Sequence, residues 1–341
     1  MVALPVTTEP AAAPSASGDP PIAWVLHDGK AGMASQALGL AEATGFPFVE
    51  KPLRVHLPWA WLPPQLWLAP LRAVGDRDGP LSPPWPDLVI ACGRNTARPA
   101  LAIRRASGGR TVAAQIQDPR VGRDEFDLML VPEHDRLRRS NVIVTRGALH
   151  RITAATLADA RRRFPELDAL PRPILGVLVG GSNRAYRLTL ARLAALADQI
   201  AACLRAGGGS VVLTPSRRTG AAGVALLRER LAGLPAAIWD MTGDNPYYAY
   251  LALADAFVVT ADSVSMISEA AATGKPVHIA ELTGGDRKFA RFHRAMREAG
   301  ITRPFAGRIE RWDYAPLDDT ARAGAALRAL VLARRAAQRA T

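Results

Sequence analysis

Asp262, Ser263, Ser265, Met266 and Glu269 fall within eight consecutive positions and combine the groups needed to hold an anion and a pair of hydroxyls. Phe257, Val258 and Val259 form a short apolar run that reads as a strand. Asp262 and Ser263 are N-cap residue types, and Val264 to Thr273 reads as a helix closed by Gly274. The unpaired amides at such a helix start carry about half a positive charge and favour a phosphate. Ser263 and Ser265 add hydroxyl donors beside them, with Met266 on the same turn. Glu269, about one and a half turns in, is spaced to accept from two ribose hydroxyls. An ordinary capped helix in an α/β sheet carries the same pattern, so the remaining chain decides its meaning.

Near the other end, His27-Asp28 joins a group that titrates near neutrality to a carboxylate, the combination a general base requires. Gly29, Lys30 and Gly32 follow directly, between a strand over Ile22 to Leu26 and a helix over Met33 to Thr44. A glycine-bearing turn between first strand and first helix marks a doubly wound domain, whose ligands sit at the carboxyl ends of the strands. The dinucleotide and Walker fingerprints are both absent, because the third glycine and the lysine motif are missing.

Further strands are expected over Asp87 to Ala91, Thr111 to Ile116, Phe126 to Val131 and Val142 to Thr145. They deliver Arg94 and Asn95, then Gln117-Asp118-Pro119-Arg120, then Glu133-His134-Asp135, then Arg146-Gly147 to one rim. A basic helix and Pro165, Pro171 and Pro173 separate a first domain (22–165) from a second (172–315). The second opens with a strand over Ile174 to Val179 and the turn Gly180-Gly181-Ser182-Asn183, where glycines let a phosphate reach the backbone. Arg217 and Arg218 follow a strand over Ser210 to Leu213 and suit a diphosphate, being permanently charged and bidentate. Asn245 lies before a helix over Pro246 to Ala254. Glu281 and Asp286, after a strand over Pro276 to Ala280, are candidates for sugar hydroxyls. A last helix over Asp318 to Gln338, within 316–341, is expected to pack back on the first domain.

The 341 residues suit two cores, and 43 basic against 31 acidic residues give a net charge of +12. That balance favours anionic partners. The arginines are scattered along helices and no zinc-finger or aromatic RNA-binding signature is present, so nucleic acid is not the expected partner. Cys92 and Cys203 read as buried thiols of a reducing compartment. No metal cluster can be built from them, and no histidine pair has zinc-site spacing. Residues 1–21 read as a disordered leader rather than a signal peptide. No long apolar window spans a membrane. Trp59, Trp61 and Trp67, near Arg54 and Arg72, fit either a membrane interface or, as the favoured expectation, a helix covering the first sheet. Asp76-Arg77-Asp78 reads as a solvated loop.

The Asp255 to Ala280 stretch resembles the donor-binding segment of the two-domain GT-B glycosyltransferases, where a serine-rich turn and a helical Glu hold a nucleotide diphosphate sugar. His27-Asp28-Gly29-Lys30-Ala31-Gly32-Met33, Gln36 and Gly39-Leu40-Ala41-Glu42 resemble the opening of the mitochondrial fission ELM family, found in bacteria and plants. The resemblance continues through Pro86-Asp87-Leu88-Val89-Ile90, Gly93-Arg94, Gln117-Asp118-Pro119-Arg120, Pro132-Glu133-His134-Asp135, Gly180-Gly181-Ser182 and Asp244-Asn245-Pro246-Tyr247. It implies a GT-B-like fold, two Rossmann-like domains facing a cleft. It also implies a metal-independent glycosyltransferase with a nucleotide diphosphate sugar as substrate, no separate cofactor, and an acceptor that the residues do not identify. A nucleotide-sugar 2-epimerase and a non-catalytic adaptor at a membrane surface are the alternatives. The expected place is the cytoplasm, including the inner face of its membrane.

Overall fold

The computed structural model describes residues 19–76 and 79–340. Most of the expected leader, and Arg77 and Asp78 of the acidic loop motif, lie outside them.

Six strands form the first sheet: β1 (Ala23–His27), β2 (Phe48–Pro52), β3 (Leu88–Cys92), β4 (Val112–Ile116), β5 (Leu128–Pro132) and β6 (Val142–Thr145). All pairs are parallel, in the order β2-β1-β3-β4-β5-β6. β1, β3 and β4 are buried at every position, as strands covered by helices on both faces must be. The second sheet has β7 (Ile174–Val179), β8 (Ser210–Pro215), β9 (Ala236–Ile238), β10 (Ala256–Thr260), β11 (Val277–Ala280) and β12 (Thr302–Pro304). It is also wholly parallel, in the order β9-β8-β7-β10-β11-β12, the Rossmann arrangement. The chain is therefore GT-B-like.

Three helices set the relation between the halves. α1 (Ala31–Thr44) follows β1, α2 (Arg94–Ala106) follows β3, and α6 (Asp319–Arg339) ends the chain; α3 (Leu190–Gly207), α4 (Val264–Ala271) and α5 (Arg287–Glu298) lie between. Although α6 follows the second domain, it packs along α1. A Cβ on Gly324 would lie 2.5 Å from that of Ala43, so the two helices touch backbone to backbone. Arg328 donates to the Thr44 carbonyl at 2.8 Å and Arg334 to Asp127 at 2.8 Å. Ala148 N donates to Ser268 Oγ across the domain seam, and Arg146 N and Gly147 N donate to Asp319 Oδ2 at the start of α6.

Two expectations need correction. The tryptophan segment is not one helix: Pro58, Pro63, Pro64 and Pro70 break it into turns over Trp59–Trp61 and Pro64–Leu66 and a helical turn over Pro70–Ala73. Asp286, expected at sugar hydroxyls, instead caps α5, accepting from Lys288 N and Phe289 N. Asp286 is thus spent on a helix start.

Candidate functional site

In open parallel sheets the crevice forms where strand order reverses, because neighbouring connections leave to opposite faces. In the first sheet that point lies between β1 and β3. Asp28 and Lys30 follow β1, and Gly93, Arg94 and Asn95 follow β3. A cavity of about 490 Å³ opens there, bounded also by Met33, Gln115, Gln117, Asp118, Arg120, Asp135 and Lys288. Six residues expected at the site from the sequence, Asp28, Lys30, Arg94, Asn95, Gln117 and Asp118, are brought together in its wall. Lys288 reaches it from α5 of the second domain and forms an ion pair with Asp135 at 2.7 Å, while Arg291 donates to the His134 carbonyl at 2.9 Å. The cavity is an interdomain one.

Its electrostatics favour an anion. Asp28 is paired with Lys30 and Asp135 with Lys288. Burial would raise the Asp118 carboxyl, but hydrogen bonds from the Arg123 guanidinium and the Arg120 amide hold it below its usual range. Arg94 and Arg120 form no carboxylate ion pair within 4 Å among the described residues, although the Arg120 charge also steadies the Asp118 carboxylate. Both α1 and α2 start at this cavity, behind Lys30 and Gly93, without a side-chain cap. Two uncapped helix starts and the Arg94 and Arg120 guanidiniums therefore converge.

Gln115 lies beneath the wall at 1% exposure: its Nε2 donates to the Ile116 carbonyl at 2.8 Å, and its Oε1 is enclosed with no partner among the described residues. Gln117 and Arg120 both adopt positive φ, 67° and 60°. Such strain in non-glycine residues is held by the surrounding structure and clusters at binding sites.

His27 is not available as a base. It is 3% exposed, its Nε2 meets Glu50 Oε1 at 2.7 Å, and its Nδ1 accepts from Gly29 N at 3.1 Å. Both ring nitrogens are spent on holding the turn, whereas the neighbouring Asp28 borders the cavity. Gly29, at φ 76°, shapes that turn, and Gly32 lies against α4: a Cβ there would sit 3.4 Å from Ser265 Oγ.

The switch point of the second sheet, between β7 and β10, is closed by protein. Asp262 accepts from Gly181 N at 3.0 Å, Thr260 Oγ1 at 2.7 Å and Arg218 Nη1 at 2.6 Å, and Thr260 Oγ1 in turn accepts from Gly180 N. A Cβ on Gly180 would meet the Asp262 carboxylate at 2.2 Å, and one on Gly181 the Arg218 carbonyl at 2.3 Å. These glycines admit protein atoms, not a phosphate. Ser182 bonds Leu188, Asn183 bonds Ala185, Tyr186 and the Asp262 carbonyl, and Asn245 accepts from Tyr247 N. Arg217 is exposed. The Gly180-Gly181, Arg218 and Asp262 set is thus a structural knot, contrary to the phosphate-binding expectation.

The start of α4 stays open. Ser263 Oγ accepts from Met266 N, whereas the Val264 and Ser265 amides have no acceptor among the described residues. Ser263, Ser265 and Met266 are half-buried, and Ser265 faces Gly32 at the start of α1. Glu269 lies deeper at 6% exposure, accepting from Tyr247 Oη at 2.6 Å and from Ser35 of α1 at 3.3 Å. Burial pushes its carboxyl up to about 7, against the pull of those two hydroxyls. As it stands, Glu269 closes the domain seam and is not open to a ribose.

Sequence reasoning missed Gln115 and Lys288 at this cavity. A lone Gln in the otherwise apolar β4 was the available signal; that Lys288 crosses to Asp135 had none.

Residues 31–331 match the sequence model of the family described as Mitochondrial fission ELM1. The mitochondrial fission protein ELM1 of Arabidopsis thaliana is 38% identical over 295 residues, which cover 77% of this chain and 66% of that protein. The chain thus spans just under two thirds of the plant relative's length. An uncharacterized protein of Rickettsia prowazekii is 24% identical, covering 87% of this chain and 94% of that one. Among solved structures, a provisionally assigned UDP-N-acetylglucosamine 2-epimerase from Listeria monocytogenes superposes with a TM-score of 0.54 at 12% identity, covering 92% of this chain and 96% of that one. The Methanocaldococcus jannaschii UDP-GlcNAc 2-epimerase, solved with UDP-GlcNAc and UDP, gives 0.52 at 13% identity, covering 91% and 99%. These two likenesses concern the fold.

Proposed function

The chain belongs to the mitochondrial fission ELM1 family, and from its interdomain cavity we propose that it binds a nucleotide diphosphate sugar and transfers the sugar to an acceptor. The observation that carries this reading is the convergence of the uncapped starts of α1 and α2 with Arg94 and Arg120 on one wall. That wall would meet the diphosphate. The open amides of Val264 and Ser265 lie beside it, across Gly32.

In the transfer, an acceptor oxygen bonds to the anomeric carbon while the bond from that carbon to the β-phosphate oxygen breaks. The nucleoside diphosphate leaves with the electron pair, and Asp28 takes the acceptor proton. Charge growing on the leaving group is met by the two guanidiniums and the helix starts, which are already oriented before reaction. No metal or further cofactor is invoked.

Water can replace an absent acceptor, so the protein incubated with UDP-, GDP-, CDP-, ADP- and dTDP-sugars should slowly release one nucleoside diphosphate, followed by mass spectrometry. Asp28→Asn should slow that release by about 100-fold or more, the usual worth of a general base. An isomerised sugar nucleotide without diphosphate release would replace transfer by 2-epimerisation. Unchanged sugar nucleotides throughout would favour the adaptor.

A further inference from the structure

Ten large apolar side chains are exposed among the described residues, and five of them, Leu57, Trp61, Leu62, Leu66 and Leu68, lie within twelve consecutive positions. Isolated exposed leucines need no explanation, but this concentration does. Trp61 is 79% exposed and Leu68 93%. Of the three tryptophans singled out from the sequence, Trp67 is buried and Trp59 half-buried, so only Trp61 presents its ring to solvent.

The loop is held in shape. Trp67 Nε1 donates to the carbonyls of Trp59 and Leu62, both at 3.1 Å, tying its two turns together. Arg98 of α2 donates to the Pro64 carbonyl at 3.3 Å and the Gln65 carbonyl at 2.6 Å. Apolar tips are thus fixed outward with little further ordering needed on binding. Within residues 51–75 the lysines and arginines are Lys51, Arg54 and Arg72, with Glu50 and Asp76 just outside, and Arg54 and Arg72 are exposed.

We propose that the 57–68 loop docks the protein on a bilayer that carries anionic lipid. Trp61 and the four leucines enter the boundary between headgroups and acyl chains, where an indole ring is favoured, and Arg54 and Arg72 meet headgroup phosphates. None of the helices among the described residues is long and apolar enough to cross a membrane, so this attachment is to one leaflet. α2 connects the face to the cavity, since Arg98 holds the loop and Arg94, one turn earlier, lines the cavity wall. A lipid-borne acceptor follows only if the proposed sugar transfer also holds; the docking is independent of it.

The full chain mixed with vesicles of phosphatidylcholine, with or without about one-third phosphatidylglycerol, tests this by co-sedimentation. The expected result is binding to the anionic vesicles that weakens with salt. Leu66→Asp/Leu68→Asp should lower the partition coefficient about tenfold or more, with an unchanged circular dichroism melt because both side chains are exposed. Trp61→Ser serves as a second variant with the same expectation. Protein that stays in the supernatant with anionic vesicles at low salt, or a double variant that sediments like the parent, overturns the proposal. So does a dimer by light scattering that Leu66→Asp/Leu68→Asp converts to monomer without vesicle binding by the parent, since the face would then belong to a second copy.

Discussion

Asp262→Ala is expected to destabilise the protein by about 2–5 kcal/mol, the cost of leaving buried donors without an acceptor and breaking an enclosed ion pair. The Asp262 side chain is wholly enclosed and serves Gly181 N, Thr260 Oγ1 and Arg218 at once. Thr260 relays the arrangement to Gly180 N, so one deletion loosens the turn after β7 and the turn after β10 together. Arg218 is partly exposed and can turn to water, which keeps the loss below that of a fully buried pair. Asp262→Asn retains one acceptor oxygen and should lose roughly half as much. Urea unfolding followed by circular dichroism measures both. An Asp262→Ala protein as stable as the parent, but impaired in ligand binding, would return this residue to the phosphate-binding role that its sequence position suggests.

Glu269→Gln should stabilise the protein by about 3 kcal/mol at pH 8 and hardly at all at pH 4.5. Burial raises the carboxyl from 4.5 to about 7 in the folded protein. The folded state therefore holds a proton that the unfolded chain releases across this window. Stability contributed by the protonated group is full below about 4.5 and is lost as pH climbs through about 7. Glutamine stays neutral, can accept from Tyr247 and keeps a polar group opposite Ser35. His134 and His150, lowered by burial to about 4, act in the opposite direction and lose stability as pH falls from 6.5. They are common to both proteins and cancel in the difference. Urea unfolding at pH 5, 6, 7 and 8 gives that difference; a constant offset would mean that Glu269 is ionised throughout and the seam is wetter than the structure indicates.

Particular residues show what a sequence can and cannot disclose. The strands and their order of appearance are legible because apolar runs such as Leu88–Cys92 and Ile174–Val179 are too short for helices and suit doubly covered parallel strands. The family is legible from the His27 to Met33 segment and its companions. The first-domain rim is legible because each strand hands its polar residues to the same edge, and six of them meet in the cavity wall. Roles within that rim are less so. His27 and Asp28 are neighbours in sequence, yet one is locked against Glu50 and Gly29 and the other borders the cavity. Gly180-Gly181 reads equally well as room for phosphate or for the Asp262 carboxylate, and only coordinates decide between them. The helix α5 had a capping Asp286 and an amphipathic pattern through Phe289, Phe292 and Met296 that a Thr-Gly-Gly run obscured. In the proline-broken tryptophan loop, no periodicity survives to say which ring turns inward.

The cavity between α1, α2 and Lys288 is proposed to take the diphosphate of a sugar nucleotide. Thermal or urea unfolding with each of UDP, GDP, CDP, ADP and dTDP decides whether it does. One of them, at about 100 times its dissociation constant, should add about 2.7 kcal/mol of stability, and Arg94→Ala/Arg120→Ala should abolish that gain while leaving the unliganded protein as stable as the parent. Stability unchanged by any of the five at millimolar concentration, or a gain that survives the double substitution, would contradict it.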